Sequence, residues 1–600
     1  MKFLVTVGTL LFSLVSAQTE VPDVDSLAVQ KHLRSRSALI AFEKRQRQDH
    51  FFRQNLSSVA QRADAIVAAI RQEEIDDYWR VPGTPEKNDT DERFAGEVFP
   101  KARPLINGTK LWDVVKHMPK GALLHAHLPA MLPYDTLLDT ILHTEGMVIS
   151  ASQDVSTEDN RRNASISFAH VNHTIATNVS SIHSKDYVPN TQIPVTVAAD
   201  TFPGGRQGFI DFVNTKVTIS PELSVRHELG VDEIWRVFQT AFDPANTMLS
   251  YEPIVRTFYK KLFSRLAEDH INWVEIRAGG SSGKLVHEGQ EDPDPDLDIW
   301  WNVLLEELEK FQKSPEGAHF WGARVIWSDS RGKNRASLTK SMKIALERKR
   351  RHPQLFSGYD VVAQEDLGRP LIDMAPELIW FQQQAEESNL TIPFFFHAGE
   401  TLGDGNSTDL NLFDAVLFGT RRIGHGFSLY KHPRLIDEVI ENGIMVEVCP
   451  ISNEVLRLAT DALHHPLPAM IAHGIPTAIS NDDPAILGQN AAGLSYDFYQ
   501  TIQAFDNIGL AGLVSSLSRG AFICNGTRLT RRKQGALAQN SIRWSNFEDQ
   551  DDVEWVRDID LGENGDGIKA QRLQEWKEKW EAFCEWVVQE YGDRYATEEI

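Results

Sequence analysis

Four short stretches of this chain carry side chains able to bind a metal ion or move a proton. Leu123-Leu124-His125-Ala126-His127 closes an apolar run with two histidines two residues apart, and on a strand such residues share a face, so both rings converge on one point. Such a pair alone is weak evidence, because surface and core histidines also meet at this spacing. His397 follows Pro393-Phe394-Phe395-Phe396, and Glu400 stands just beyond it in a glycine-containing loop. His425 lies between Gly424 and Gly426, where the missing side chains let the backbone bring the ring close to another group. Asp482 and Asp483 follow Thr477-Ala478-Ile479-Ser480-Asn481. Taken singly, Asp482-Asp483-Pro484 also reads as a helix start and Gly424-His425-Gly426 as a tight bend. Their common placement argues for chemistry.

That placement comes from the elements around them. Eight β-like runs, at 122–125, 272–276, 323–327, 359–362, 393–396, 422–423, 444–448 and 476–479, alternate with helical patterns. Alternation of this kind predicts an α/β fold, a closed parallel (β/α)8 TIM barrel. All four clusters sit at C-terminal ends of runs, where barrel enzymes build their active sites. Apolar residues at helical spacing from about Asp25 to Glu74 predict helices outside the barrel, packed on a partner or on the chain's own body. From about Pro133 to Glu222 the chain turns rich in Ser, Thr and Asn, with extended stretches such as Gln192 to Val197, which predicts an insertion after the first strand, bounded at 130–225. Leu573, Trp576, Trp580, Phe583 and Val587 alternate at three and four and predict a core-facing final helix.

Composition narrows the class. The 600 residues hold 61 Lys+Arg and 84 Asp+Glu, a net charge of −23, which argues against nucleic acid and anionic membranes as partners. Three cysteines, Cys449, Cys524 and Cys584, are too few for a disulfide scaffold. Residues 1–17 read as a signal peptide, with a basic start, an apolar run to Val15 and small residues to Ala17. No later run is long and apolar enough to span a membrane. Nine Asn-x-Ser/Thr sequons, at Asn55, Asn88, Asn107, Asn163, Asn172, Asn178, Asn389, Asn406 and Asn525, fit a secreted, extracellular glycoprotein. Arg348-Lys349-Arg350-Arg351 reads as the end of a helix, Cys449 as a buried thiol, and Asp292 to Asp296 as a solvated loop.

The tracts Met118-Pro119-Lys120-Gly121-Ala122-Leu123-Leu124-His125-Ala126-His127, Phe396-His397-Ala398-Gly399-Glu400-Thr401, Arg422-Ile423-Gly424-His425-Gly426, Val448-Cys449-Pro450-Ile451-Ser452-Asn453 and Ser480-Asn481-Asp482-Asp483-Pro484 resemble the adenosine deaminase family. With the leader, the helical extension and the insertion, the chain is similar to its secreted growth-factor branch. The resemblance implies residues 18–110 as a helical dimerisation extension and 111–600 as the catalytic barrel interrupted by the insertion. It further implies one Zn2+ per subunit held by His125, His127, His397 and Asp482, nitrogen and oxygen donors that suit a catalytic zinc. His425 is then the base for water, Glu400 a protonated acid toward purine N1, Asp483 the partner of N7, and Ala363 a backbone donor to N3. Glu275 and Arg277 match the family's Glu-x-Arg pair and are expected to brace the barrel.

The implied activity is hydrolysis of adenosine or 2′-deoxyadenosine to the inosine product and ammonia, by a homodimer with a cell-surface receptor or glycan as further partner. Two departures qualify it. Leu128-Pro129-Ala130 stands where the family has a ribose-contacting Asp, and Ala363 where it has Gly, a change tolerated if φ stays negative. The family's insertion disulfide is absent, since no Cys lies between 128 and 225. An amidohydrolase for another aminopurine nucleoside and a catalytically silent signalling protein are the alternatives. Adenosine monophosphate is disfavoured, because no basic phosphate cradle accompanies the motifs.

Overall fold

The computed structural model describes residues 25–47, 49–79, 93–172, 181–279, 284–490, 493–513, 522–524, 527–529 and 537–595. The expected leader at 1–17 and the sequons at Asn88, Asn178 and Asn525 lie outside them. Of the described residues, 25–46 form one compact unit; in it Leu27–Lys44 is a helix without a buried side chain, capped by Ser26, whose hydroxyl accepts from the Val29 amide.

The second unit is built on eight parallel strands: β1 Gly121–His127, β2 Ile271–Ala278, β3 Gly322–Ser330, β4 Phe356–Val362, β5 His397–Ala398, β6 Arg422–His425, β7 Met445–Val448 and β8 Thr477–Ile479. They pair in sequence order as two sets of four, β1 to β4 and β5 to β8. Bridges between Ala126 and Asp482 and between Tyr359 and Phe394 join the sets into a ring. At the first seam the Asp482 amide donates to His125 O at 3.1 Å and the His127 amide to Asp482 O at 3.0 Å. The run 393–396 behaves differently from expectation: its backbone bonds to Tyr359, while β5 itself forms only at His397–Ala398. Every residue of β2 is buried, as a strand covered on both faces requires.

Between β1 and β2 the chain leaves the ring. Met147–Ala151 pairs antiparallel with Ile166–His170 on one side and with Ile193–Pro194 on the other. The stretch expected to be extended from Gln192 to Val197 stops at Pro194, which has no N–H to continue the ladder, and a helix runs from Val195 to Asp200. Helices Gly230–Met248 and Glu252–Glu268 then return the chain to the barrel.

Of the expected N-terminal helices, Ser58–Glu74 packs on the body, burying Ala60, Ala63, Ile66, Val67 and Ile70 and lying against the C-terminal helix Ile568–Tyr591. That helix buries Leu573, Trp576, Trp580, Phe583 and Val587 as its spacing predicts. The basic run does end a helix, Arg335–Arg351, but Arg348 and Lys349 turn inward, Lys349 Nζ donating to Phe356 O at 2.9 Å and Asp549 at 2.6 Å. Cys449 and Cys584 are buried free thiols. Among the described residues no helix is long and apolar enough to cross a membrane.

Candidate active site

The C-terminal ends of β1, β5, β6 and β8 bring the four sequence clusters to one point. His125, His127, His397 and Asp482 offer three ring nitrogens and one carboxylate oxygen that all lie within 4.8 Å of one another. His125 Nε2 and His127 Nε2 stand 3.3 and 3.2 Å from Asp482 Oδ1. His425 reaches the same point: its Nε2 is 4.0 Å from Asp482 Oδ2 and its Nδ1 3.5 Å from Glu400 Oε1. His425 and Asp482 both adopt left-handed backbone, with φ of 61° and 60°, a strain of the kind that concentrates at functional sites.

The histidines are aimed from behind. His125 Nδ1 is 2.8 Å from Glu447 Oε2, and His397 Nδ1 is 2.7 Å from Asp360 Oδ2. Arg277 holds both carboxylates, Nε to Asp360 at 2.7 Å and a terminal nitrogen to Glu447 at 2.8 Å. Arg422 adds bonds to Glu447 at 2.5 Å and Glu275 at 2.9 Å. Glu275 and Arg277 thus brace the barrel, and Arg277 also reaches the site through its two acids. Burial alone raises a carboxyl pKa, but His397 and Arg277 hold Asp360 below the usual carboxylate range, and Arg277 and Arg422 do the same for Glu447. Each carboxylate–imidazole pair turns the opposite ring nitrogen, Nε2, toward the cluster.

A second chain of bonds fixes His425. The Leu467 amide donates to His465 Nδ1 at 3.0 Å, so the neutral His465 ring carries its hydrogen on Nε2, 2.9 Å from Asn453 Oδ1. Burial keeps His465 neutral, with its pKa lowered to about 3. Asn453 then turns its amide nitrogen to His425 Nδ1 at 3.3 Å. Burial holds His425 neutral as well, so Nδ1 accepts and Nε2 bears the hydrogen.

Carboxyl groups in the cluster divide into two kinds. Burial works to raise Asp482, but the surrounding His125, His127 and His425 rings outweigh it and keep it well below the ordinary range. Ser452 Oγ also donates to Asp482 Oδ2 at 2.7 Å. Glu400 is pushed far up by burial and then by the charges of Asp482 and Glu365. Asp483 is pushed up by burial and by Asp482. Glu400 Oε1 and Asp483 Oδ1 are buried without a hydrogen-bond partner, as are His125 Nε2 and His425 Nε2. Four orphaned polar atoms around one point are costly unless a ligand satisfies them. Three imidazoles and one carboxylate fit a divalent ion such as zinc.

Above the cluster opens a cavity of about 640 Å³, lined by His127, His397, Glu400, His425, Asp482 and Asp483 at its floor. Ala363 and Pro129 also line it. Ala363 has φ +82°, so the condition under which alanine is tolerated there, a negative φ, is not met: the residue occupies backbone space that favours glycine. Trp235, Phe238 and Phe242, on one face of Gly230–Met248, supply an apolar wall.

Asp360, Glu447, Asn453, His465 and the aromatic wall had no assigned role in the sequence reading. Asp360 and Glu447 carried a usable signal, since a lone acid inside an apolar strand must find a partner.

The adenosine deaminase family matches residues 215–532 of the chain. Adenosine deaminase 2-A of Danio rerio is 31% identical over 459 residues, 75% of this chain and 83% of that protein. Adenosine deaminase 2 of Homo sapiens is 30% identical over 488 residues, 81% of this chain and 82% of that protein. Among solved structures, a zinc-bound amidohydrolase from Burkhoderia ambifaria superposes with a TM-score of 0.48 at 14% identity, over 80% of this chain and 95% of that one.

Proposed function

Because the chain belongs to the adenosine deaminase family and is an adenosine deaminase hydrolase, we propose that it is a secreted zinc enzyme converting adenosine, or 2′-deoxyadenosine, and water to the inosine product and ammonia. The observation that carries the substrate reading is the pair of carboxyls buried at the cavity floor, each with an oxygen, Glu400 Oε1 and Asp483 Oδ1, that has no hydrogen-bond partner. Purine N1 and N7 present lone pairs, so each needs a donor, and Glu400 and Asp483 can supply one each only while neutral. The Ala363 backbone, lining the same cavity, is the group assigned to N3.

His125, His127, His397 and Asp482 would hold the zinc ion. Such an ion supplies hydroxide from bound water near neutral pH and polarises the reacting centre. The residues do the rest. Glu400 gives its proton to N1 as oxygen attacks C6; the exocyclic C6–N bond then breaks, and of the water's two protons one returns to Glu400 and one completes the departing ammonia. His425 and Asp482 flank the attacking oxygen. The sequence reading made His425 the base; with hydrogen on Nε2 its neutral ring orients that oxygen by donating to it, and Asp482 Oδ2 is the acceptor across from it. The aromatic wall excludes water from the closed complex.

The secreted reading rests on the apolar leader and on the sequons: Asn55, Asn107, Asn163, Asn172, Asn389 and Asn406 are all exposed. Homodimer formation through the N-terminal helix is supported by Leu27, Leu33, Leu39 and Phe42, exposed at 80, 51, 69 and 53%. Light scattering on a chain lacking residues 18–46 should give a monomer; an unchanged mass contradicts the assignment. Incubation with adenosine, with and without chelator, tests the reaction: zinc-restored ammonia release is expected, and zinc binding without adenosine turnover favours another aminopurine nucleoside, an option Pro129 keeps open.

A further inference from the structure

The floor of the cavity holds the purine edge that carries C6, N1 and N7, which on this reading of the reaction sends the sugar, attached at the opposite end of the base, toward the mouth. At that mouth stand three lysines from separate segments. Lys284 follows β2, Lys333 follows β3, and Lys340 lies on the helix Arg335–Arg351, all lining the same cavity. Ser337, Lys340, Ser341 and Ile344 are spaced as one face of that helix, so Lys340 is presented to the cavity and not to the surrounding solvent alone. Lys333 is half-buried and is held in place by Asp329, with Ser341 Oγ 3.3 Å from its Nζ. Lys284 and Lys340 are exposed, and among the described residues neither has an ion-pair partner. Asp243 is the opposing charge on the rim.

The net charge of −23 therefore gives the wrong local sign: the field at the mouth is set by these side chains. Pro129, in the place of a ribose-contacting acid, adds no negative group to the sugar's side of the pocket, where Asp243 is the acid present. Resting on the deaminase reading, we propose that the lysine rim binds the phosphate of a 5′-phosphorylated 6-aminopurine nucleoside, so that the enzyme deaminates nucleotides as well as nucleosides. The reaction balances as before: water oxygen bonds to C6, the exocyclic C–N bond breaks, ammonia leaves, and the phosphate ester is untouched. A phosphate carries about −1.5 to −2 charges at neutral pH, and lysine ammonium groups meet it as point charges without demanding one fixed geometry.

The test compares kcat/KM for adenosine 5′-monophosphate and adenosine on the zinc-loaded full chain, wild type and Lys284→Ala/Lys340→Ala. The expected result is turnover of both by the wild type, a nucleotide rate that falls more steeply with salt, and a nucleotide-to-nucleoside ratio at least tenfold lower in the double variant. Calorimetry with inosine 5′-monophosphate and inosine gives the same comparison without chemistry, with the monophosphate expected to bind more tightly. A nucleotide left intact while adenosine is consumed, or a ratio unmoved by the substitutions, overturns the proposal. If neither substrate is deaminated, the deaminase reading fails, and the two affinities alone decide the rim: equal values overturn it.

Discussion

Arg277 Nε and His397 Nδ1 meet the same oxygen, Asp360 Oδ2, each at 2.7 Å. Arg277 thus sets the direction of one ring through Asp360 and of another, His125, through Glu447. Its removal leaves two buried carboxylates short of a cation, a loss on the order of 3–5 kcal/mol. Asp360→Asn is the gentler probe. It should fold and yet bind zinc roughly 10–100-fold more weakly, the usual effect of losing such a partner; zinc content after dialysis against graded chelator reads this directly. Unchanged retention would mean that the carboxylate does not orient His397.

Glu400→Gln keeps the shape of the acid and removes its proton. Zinc content and unfolding temperature should match the wild type, while turnover falls by about 10²–10⁴, the range for one general acid. Near-normal ammonia release would remove Glu400 from proton transfer.

Asn453 offers a test of which nitrogen of His425 holds the hydrogen. Asn453→Asp replaces a donor by an acceptor at Nδ1 and favours the opposite tautomer, stripping the hydrogen from Nε2. If His425 acts by donating, kcat drops at least tenfold with little change in KM; a rise in kcat would restore the ring to the role of base.

Ala363 at φ +82° carries strain of about 1–2 kcal/mol for a residue with a β-carbon in left-handed backbone. Glycine relieves it, at a cost of about 0.4–1 kcal/mol from the freer unfolded chain. Ala363→Gly should therefore stabilise the protein by up to about 1.6 kcal/mol in urea unfolding. A destabilised variant would show that the strain is absent.

Glu74 gives a pH signature remote from the chemistry. Its carboxyl is buried, accepts from the Leu111 amide at 2.7 Å, and is raised from 4.5 to about 7 by burial. A carboxyl raised in the folded state binds more protons there than in the unfolded chain, so its cost to stability grows as pH climbs from about 4.5 and levels off above 7. Glu74→Gln removes this term: the difference in stability, variant minus wild type, should be greater at pH 8 than at pH 5 by about 2–3 kcal/mol. Parallel pH profiles for the two proteins would show that Glu74 titrates normally.

The ring was legible because each of its strands is a short apolar run followed by polar chemistry, a local pattern. The seven residues that meet at the site were legible because His125-x-His127, His397-x-x-Glu400, Gly424-His425-Gly426 and the Asp pair keep their spacing in sequence. What escaped depends on tertiary pairing. Asp360 and Glu447 acquire their purpose from histidines on other strands, and Asn453 matters only because His465 stands behind it. Residues 192–197 misled because β-propensity ignores the missing amide of Pro194. The sign of Ala363's φ is a backbone property that composition does not encode.

Trp235, Phe238 and Phe242 come from a helix that follows the excursion between β1 and β2, not from a loop of the ring beside the histidines. The apolar wall and the histidine cluster are therefore carried on different lengths of polypeptide. Substitutions on that helix reshape one side of the chamber without displacing any of the metal-binding side chains.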